Sequence, residues 1–281
     1  PKKGNVRRMT NEPSPSTGLD FGEVALAYDQ ARPGYPIAAA QWLVASPADE
    51  TAVVLELGAG TGKLTAQLTK VVKEVLATDP DERMLELLSH RVPQARTAAG
   101  GAEEINLPDR AVDVIAIAQA LHWFDLDRAI PEMARVLRSD GVVGMVWNYR
   151  DDSIPWVRKL DRMLGSQDSA FDLPEFLADR PEVVIIDQAE FRHWQSVDRE
   201  QLTGFVSSRS EVIARSPEAR AEKLAEVIAL YDEYDRGGGL QLPWISRCYR
   251  ARFDLAARNR PAGEPAPTYD DDDGMLLIDF K

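Results

Sequence analysis

The stretch Val54 to Thr65, VLELGAGTGKLT, runs from apolar residues into glycines at 58, 60 and 62, then a lysine and a renewed apolar spacing at Leu64 and Leu68. An apolar run, a glycine turn and apolar positions at helical spacing predict a buried strand, a tight loop and a helix. Loops of this kind hold nucleotides, and the register decides which kind. A triphosphate loop needs a glycine five residues before its Gly-Lys pair and a Ser or Thr after it to reach magnesium, but Leu57 and Leu64 hold those places. A dinucleotide fingerprint needs its third glycine at position 63, where Lys63 stands. A loop that binds nothing, serving only as a strand-to-helix turn, is the competing reading.

The spacing that is present, G-x-G-x-G after Leu55-Glu56-Leu57, is the one associated with S-adenosylmethionine, a nucleoside that carries an amino acid and no phosphate. Its glycines let the main chain approach the methionyl part closely. The segment KEVLATDPDERML adds a second group: a strand from Glu74 to Thr78, then Asp79 just beyond it, then a helix from Asp81. An acid there can accept hydrogen bonds from both hydroxyls of a ribose, as where α/β sheets bind nucleosides at their carboxyl edge. Asp79 could also simply start the helix as its N-cap.

These residues need a scaffold, and the chain predicts one. A helix over Pro36 to Val44 and the strand Val53 to Leu57 open an alternation of strands and helices that continues to Trp147, as a parallel, doubly wound sheet requires. Further strands are expected at Arg96 to Ala99 and Val112 to Ala118. A helix over Leu126 to Arg138, a turn at Asp140-Gly141 and a strand Val142 to Trp147 follow. Beyond that come a helix Pro155 to Leu164, a strand at AEFRHWQSV and a capping box of Asp198 with Gln201. Ser216-Pro217 opens another helix, whose stripe of Leu224, Val227, Ile228 and Tyr231 reads as core, and PWISRCYRARF is a closing strand with an inert Cys248. Residues 1–18 read as a flexible arm, with Met9 the expected natural start, and residues 256–281 as an acidic, disordered tail. A short helix from Phe21 to Pro33 is expected between arm and core.

With 281 residues and 44% hydrophobic content the chain can bury one sizeable core. The net charge of −13 is uneven: residues 1–18 carry four basic groups against one acid, residues 264–281 six acids against one base, and the body between is acidic. An acidic body repels phosphate backbones, which argues against nucleic acid as a partner. One cysteine and three scattered histidines offer neither an internal disulfide nor metal-ligand spacing, so no metal is expected. No apolar stretch reaches membrane-spanning length and no secretory pattern opens the chain, so a soluble, cytoplasmic protein without a membrane partner is expected.

Taken together the segments resemble the class I S-adenosylmethionine-dependent methyltransferases, in the small-molecule branch that includes trans-aconitate methyltransferase-like proteins. Beyond the glycine loop, GAEEINLPDRAVDVIAIAQALHWFD, RVLRSDGVVGMVWNYRDD and AYDQARPGYP carry the likeness, in order, over Phe21 to Arg252. The resemblance implies an α/β, Rossmann-like fold: a central, mostly parallel seven-stranded sheet with helices on both faces, plus a helical lid. It implies a methyltransferase domain over 19–255, with N-terminal lid helices at 19–45, a cofactor-binding core at 46–150, and a lid with closing strands at 151–255. It assigns Glu56, Gly58, Gly60 and Gly62 to the methionyl end of S-adenosylmethionine and Asp79 to the ribose, with Ala59 and Pro80 also among the cofactor-binding residues. Met84 would pack on the adenine, Ala102 and Glu103 would line its edge, and Gln119 would lie near the sulfonium. The turn Ser139-Asp140-Gly141 departs from the family's Pro-Gly-Gly.

Methyl transfer from a sulfonium needs alignment, exclusion of water and, for some acceptors, a base. Tyr28, Tyr35, His122, Trp123, Trp147 and Tyr149 fall at the N-terminal lid or past the carboxyl ends of the fourth and fifth strands, where aromatic faces can favour a cation. Each of them could equally be core. His122 is the candidate base, or a brace for the helix after it. Arg32 and Arg150 could hold an acceptor carboxylate bidentately or make ordinary salt bridges. Tyr28, Arg32 and His122 are the catalytic candidates. A small-molecule methyl acceptor, with S-adenosylhomocysteine as co-product, is the expected partner, and a non-catalytic S-adenosylmethionine-binding protein is the alternative. No motif fixes the acceptor nucleophile or the oligomeric state.

Overall fold

Runs rich in β-branched residues and leucine give strands β1 (Val53–Leu57) and β4 (Val112–Ala118), and with them the chain forms β2 (Glu74–Asp79), the short exposed β3 (Arg96–Ala99), β5 (Leu137–Arg150), β6 (Val183–Val197) and β7 (Leu240–Phe253). The α-helices are α1 (Ile37–Val44), α2 (Thr65–Leu68), α3 (Glu82–Arg91), α4 (Leu126–Val136), α5 (Pro155–Leu164), α6 (Leu173–Phe176), α7 (Arg199–Ser207), α8 (Ser210–Ile213) and α9 (Pro217–Tyr234). The structure is a computed structural model that describes residues 32–44, 51–165, 171–207 and 209–259. The expected arm, most of the helix expected from Phe21, Tyr28 and the tail from position 260 lie outside these residues. The first residues expected in that tail belong to a short 3-10 helix, Leu255–Asn259.

The strands form one seven-stranded sheet in the order β3-β2-β1-β4-β5-β7-β6. The first five are joined in parallel, and β7 runs antiparallel to β5. The order reverses between β1 and β4, and the crevice outside the carboxyl ends of strands at such a switch point is where open α/β sheets bind ligands. Alternate residues feed two cores. Leu55, Leu57, Ile115, Ile117, Val143 and Met145 pack with Ala129, Ile130 and Met133 of α4. Val54, Val114, Ala116, Val142 and Val146 pack with Ala39, Ala40 and Leu43 of α1 and with Leu64 and Leu68. Burial on both faces is why the central strands read as unbroken apolar runs rather than alternating ones.

The described residues fall into two compact units, those within 34–195 and 242–259 in one and those within 32–33 and 196–241 in the other. In the second, Leu202, Phe205 and Val206 of α7 and Val227, Leu230 and Tyr231 of α9 are buried. The stripe expected on α9 is thus rotated slightly, with Leu230 inside and Leu224 and Ile228 half-buried. The capping box forms: Asp198 N donates to Gln201 Oε1 at 3.0 Å and Gln201 N to Asp198 Oδ1 at 2.8 Å.

The fifth strand differs from expectation. Asp140-Gly141 does not separate a helix from a strand. Helix α4 ends at Val136, β5 begins at Leu137, and the register jumps from Val112 opposite Leu137 to Val114 opposite Val142. The glycine lies in a bulge, where a Cβ would sit 2.8 Å from the Asp113 carbonyl oxygen. Strand β6 is also longer than expected, because it follows β7 along the sheet edge.

Helix α1 lies so close to β5 that a Cβ on Gly144 would come 3.0 Å from Leu43 Cδ2 and 3.2 Å from the Leu43 carbonyl oxygen. Gly144→Val should therefore cost about 1–3 kcal/mol in urea unfolding by prising helix from sheet. Gly204, within α7 and facing open space, should behave oppositely, with Gly204→Ala raising stability by up to about 1 kcal/mol.

Candidate functional site

The loop between β1 and α2 holds three residues in the left-handed region, Gly58 at φ +68°, Gly60 at +55° and Gly62 at +85°. Two of them also serve packing. A Cβ on Gly58 would lie 2.6 Å from Ala120 Cβ, and one on Gly62 2.7 Å from Leu88 Cγ. Gly60 differs, because nothing lies within 4 Å of its would-be Cβ. Its missing side chain leaves an open cradle at the carboxyl end of β1. Helix α2 is only one turn long, so the loop lacks the aligned helix N-terminus that attracts phosphate in nucleotide loops.

Asp79 is the last residue of β2 rather than the first beyond it. Its side chain is turned onto the loop: Gly60 N donates to Oδ2 at 2.8 Å and Asp81 N to Oδ1 at 2.9 Å. The N-cap of α3 is Asp81, which accepts from Arg83 N at 3.0 Å, so the capping reading of Asp79 gives way. A carboxylate has about four lone-pair sites, so each Asp79 oxygen retains capacity for one further donor.

Glu56 lies in the middle of the site and is 0% exposed. Thr65 Oγ1 donates to its Oε2 at 2.6 Å, while Oε1 is buried without a hydrogen-bond partner. Burial, helped by the nearby Asp79 charge and opposed by the Thr65 hydrogen bond, pushes its carboxyl up to about 8. A buried acceptor left open on the strand that leads into the glycine loop fits a cationic group such as an α-ammonium, and the nearby negative charge of Asp79 disfavours a phosphate.

Gln119, just past β4, adopts a left-handed conformation at φ +53°, a strain that non-glycine residues carry mainly at functional positions. Its main-chain N donates to the Val146 carbonyl at 3.0 Å, and its Nε2 to Tyr35 Oη at 3.2 Å. Tyr35 is buried, and Asn148 Nδ2 donates to the carbonyl of the preceding Gly34 at 2.9 Å. Ser246 and His193 continue this polar chain behind Asn148. Met84 is half-buried on α3, Pro80 exposed and Ala59 buried. Ala102 packs its side chain into the core and has only main-chain atoms for a ligand edge. Glu103 Oε1 accepts from Asp125 N at 2.8 Å, which ties the segment after β3 to the start of α4.

The aromatic candidates divide. Trp147, stacked on Phe171 at 4.9 Å, and Tyr149, whose hydroxyl donates to the Phe171 carbonyl at 2.6 Å, are buried core residues. Trp123 is 60% exposed. His122 lies between Trp123 and Phe171, at ring distances of 4.9 and 5.5 Å. Desolvation there lowers its pKa, which leaves a neutral imidazole at pH 7, and the cap of the following helix is Asp125. Arg150 forms a buried ion pair with Asp161 and lies 6.0 Å over the Trp244 ring, so its salt-bridge reading holds. Arg32 belongs to the other compact unit and Tyr28 lies outside the described residues. The structure thus gathers the loop, Glu56, Asp79 and Gln119 at one sheet edge and takes Arg150 away. Sequence reasoning missed Thr65, Asn148 and Phe171. A hydroxyl in the apolar pattern after the loop was the available sign of Thr65, whereas nothing local marks Phe171. Among the described residues, no cluster of His, Cys, Asp and Glu is placed to hold a metal ion, and no helix is long and apolar enough to cross a membrane.

Residues 55–145 match a methyltransferase domain family. An uncharacterized methyltransferase of Mycobacterium tuberculosis is 38% identical over 236 residues, covering 83% of this chain and 95% of that protein. An uncharacterized methyltransferase-like protein of Schizosaccharomyces pombe is 41% identical over 153 residues, 54% of this chain and 59% of that protein. A solved structure from Anaeromyxobacter dehalogenans, described as a candidate type II methyltransferase, superposes with a TM-score of 0.63 at 26% identity, over 79% of this chain and 97% of that one. With the strand order, the cradle at Gly60 and the acids at the ends of β1 and β2, these likenesses establish that the chain belongs to the class I S-adenosylmethionine-dependent methyltransferases.

Proposed function

We propose that this chain binds S-adenosylmethionine at the carboxyl ends of β1, β2 and β4 and methylates a small-molecule acceptor, in the cytoplasm. The observation that carries the reading is the convergence there of an open Gly60, an Asp79 with unused acceptor capacity and a Gln119 in strained backbone. When bound, S-adenosylmethionine supplies a methyl group already activated on a sulfonium, so the protein's task is alignment more than activation. Glu56 and the loop would hold the methionyl end and Asp79 the ribose, with Met84, Ala102 and Glu103 around the adenine. Gln119, fixed by Tyr35, would border the reacting centre, and His122, neutral and beside the exposed Trp123, would take a proton from the acceptor.

The acidic net charge supports a small acceptor over a nucleic acid. Of the two arginines expected to meet an acceptor carboxylate, Arg150 is engaged by Asp161. A carboxylic acid stays in the proposal as one acceptor class among those to be screened. A screen with methyl-labelled S-adenosylmethionine against small oxygen, nitrogen and carbon nucleophiles, with RNA and DNA alongside, tests it. Transfer to a small acceptor is expected, and transfer confined to nucleic acid overturns it.

Two variants test the residues. Hydrogen bonds to a charged acceptor contribute about 1.5–3 kcal/mol each, so Asp79→Ala should weaken S-adenosylhomocysteine binding by roughly one to three powers of ten in calorimetry. Asp81→Ala should instead cost about 1 kcal/mol of stability as a lost cap and leave that affinity nearly intact. With an acceptor in hand, kcat/KM should be flat near pH 7 and fall on acidification, as the lowered pKa of His122 is crossed and the imidazole takes up a proton. His122→Asn should lower the plateau by roughly 10²–10⁴-fold and abolish that acid limb.

A further inference from the structure

The buried pair Thr65 and Glu56 has a chemistry that the site's general assignment leaves unused. Glu56 has no exposed surface, one oxygen on a neutral hydroxyl and the other on nothing. Its cross-strand neighbours are Ala77 on β2 and Ala116 on β4. Helix α1, in the core on that face of the sheet, is IAAAQWLV and has no titratable group. Asp79 on β2 is a like charge that acts on Glu56, and Lys63, the cation of the loop, bonds neither of its oxygens. A carboxylate so placed lacks the partners a buried charge requires, and it neutralises by keeping its proton.

We propose that Glu56 is a protonated acid in the ligand-free protein, that Thr65 is a positioning residue holding one of its oxygens so that the other stays open, and that arrival of the cofactor's α-ammonium expels the Glu56 proton to solvent. This rests on the S-adenosylmethionine reading above. The step balances: a neutral carboxylic acid and an ammonium become a carboxylate–ammonium pair plus one proton taken by buffer. No bond to carbon changes and nothing is oxidised. Raised to about 8 without ligand, Glu56 is mostly protonated at pH 7, so nearly one proton should leave. The ammonium compensates the buried negative charge, so the site selects for a zwitterionic amino-acid end.

Calorimetry of S-adenosylhomocysteine binding at pH 7 in phosphate and in Tris counts that proton, because the observed heat varies with buffer ionisation enthalpy in proportion to the protons released. The parent should release close to one, and 5′-methylthioadenosine, which lacks the amino-acid end, should release none. Glu56→Gln should abolish release and bind S-adenosylhomocysteine roughly 10- to 100-fold more weakly. Thr65→Val should weaken S-adenosylhomocysteine by about tenfold while leaving 5′-methylthioadenosine unchanged, with Thr65→Ser restoring the parent's values. As an independent check, the ligand-free parent should melt at progressively lower temperature from pH 5 to pH 8.5. Its folded state binds more protons than its unfolded state across that window, and Glu56→Gln should flatten the trend. Binding by the parent without proton release, or a Thr65→Val loss equal for both ligands, overturns the inference and leaves the cofactor reading standing. No binding of S-adenosylhomocysteine by the parent overturns both.

Discussion

Two main-chain N–H groups converge on the carboxylate of Asp79, one from the glycine loop at Gly60 and one from the start of the next helix at Asp81. Three left-handed residues in five make the loop a shape the chain will not keep unaided, and this carboxylate fastens it to the end of β2. A second fastening is steric, since Gly58 and Gly62 lie against Ala120 and Leu88 where no Cβ would fit. Gly60 is left between them, open to a ligand.

The two acids of the site are held differently, and the difference sets what each can do. Asp79 sits among main-chain donors and is a ready acceptor for hydroxyls. Glu56 is deeper, with only the Thr65 hydroxyl, and burial raises its pKa. Under the proposed reading a nucleoside with a positively charged amino-acid end would suit both, with hydroxyls at the first acid and a cation at the second. A phosphate would meet negative charge and a one-turn helix with little dipole to offer.

Across the crevice, the polar chain of His193, Ser246, Asn148 and the Gly34 carbonyl fixes the segment that carries Tyr35, and Tyr35 in turn fixes Gln119. Residues from three strands and one loop thereby hold a single residue of strained backbone at the end of β4. The nearby arginine, Arg150, turns inward to Asp161 instead, because a guanidinium beside Trp244 in the sheet core needs an anion more than solvent can supply one there.

The sequence by itself determined most of the sheet and the glycine loop. β1 and β4 lie where their apolar runs place them, and the three loop glycines take left-handed conformations, since strand burial and left-handed turns are local demands with local residue signatures. The start of β5 was not legible, because Asp140-Gly141 satisfies a bulge as well as a turn and only the register against β4 decides between them. The capping role of Asp79 passed to Asp81, two residues on, for a similar reason: both are acids at a helix start, and the position of the glycine loop selects which one turns away. Thr65 beneath Glu56, Phe171 against His122 and Asp161 against Arg150 are pairings between separate elements. Tertiary structure alone decided them, because side-chain partners 9 to 49 residues apart are set by how helices and strands pack, and even Glu56 and Thr65, which share one stretch of sequence, meet only through the way the loop between them folds back.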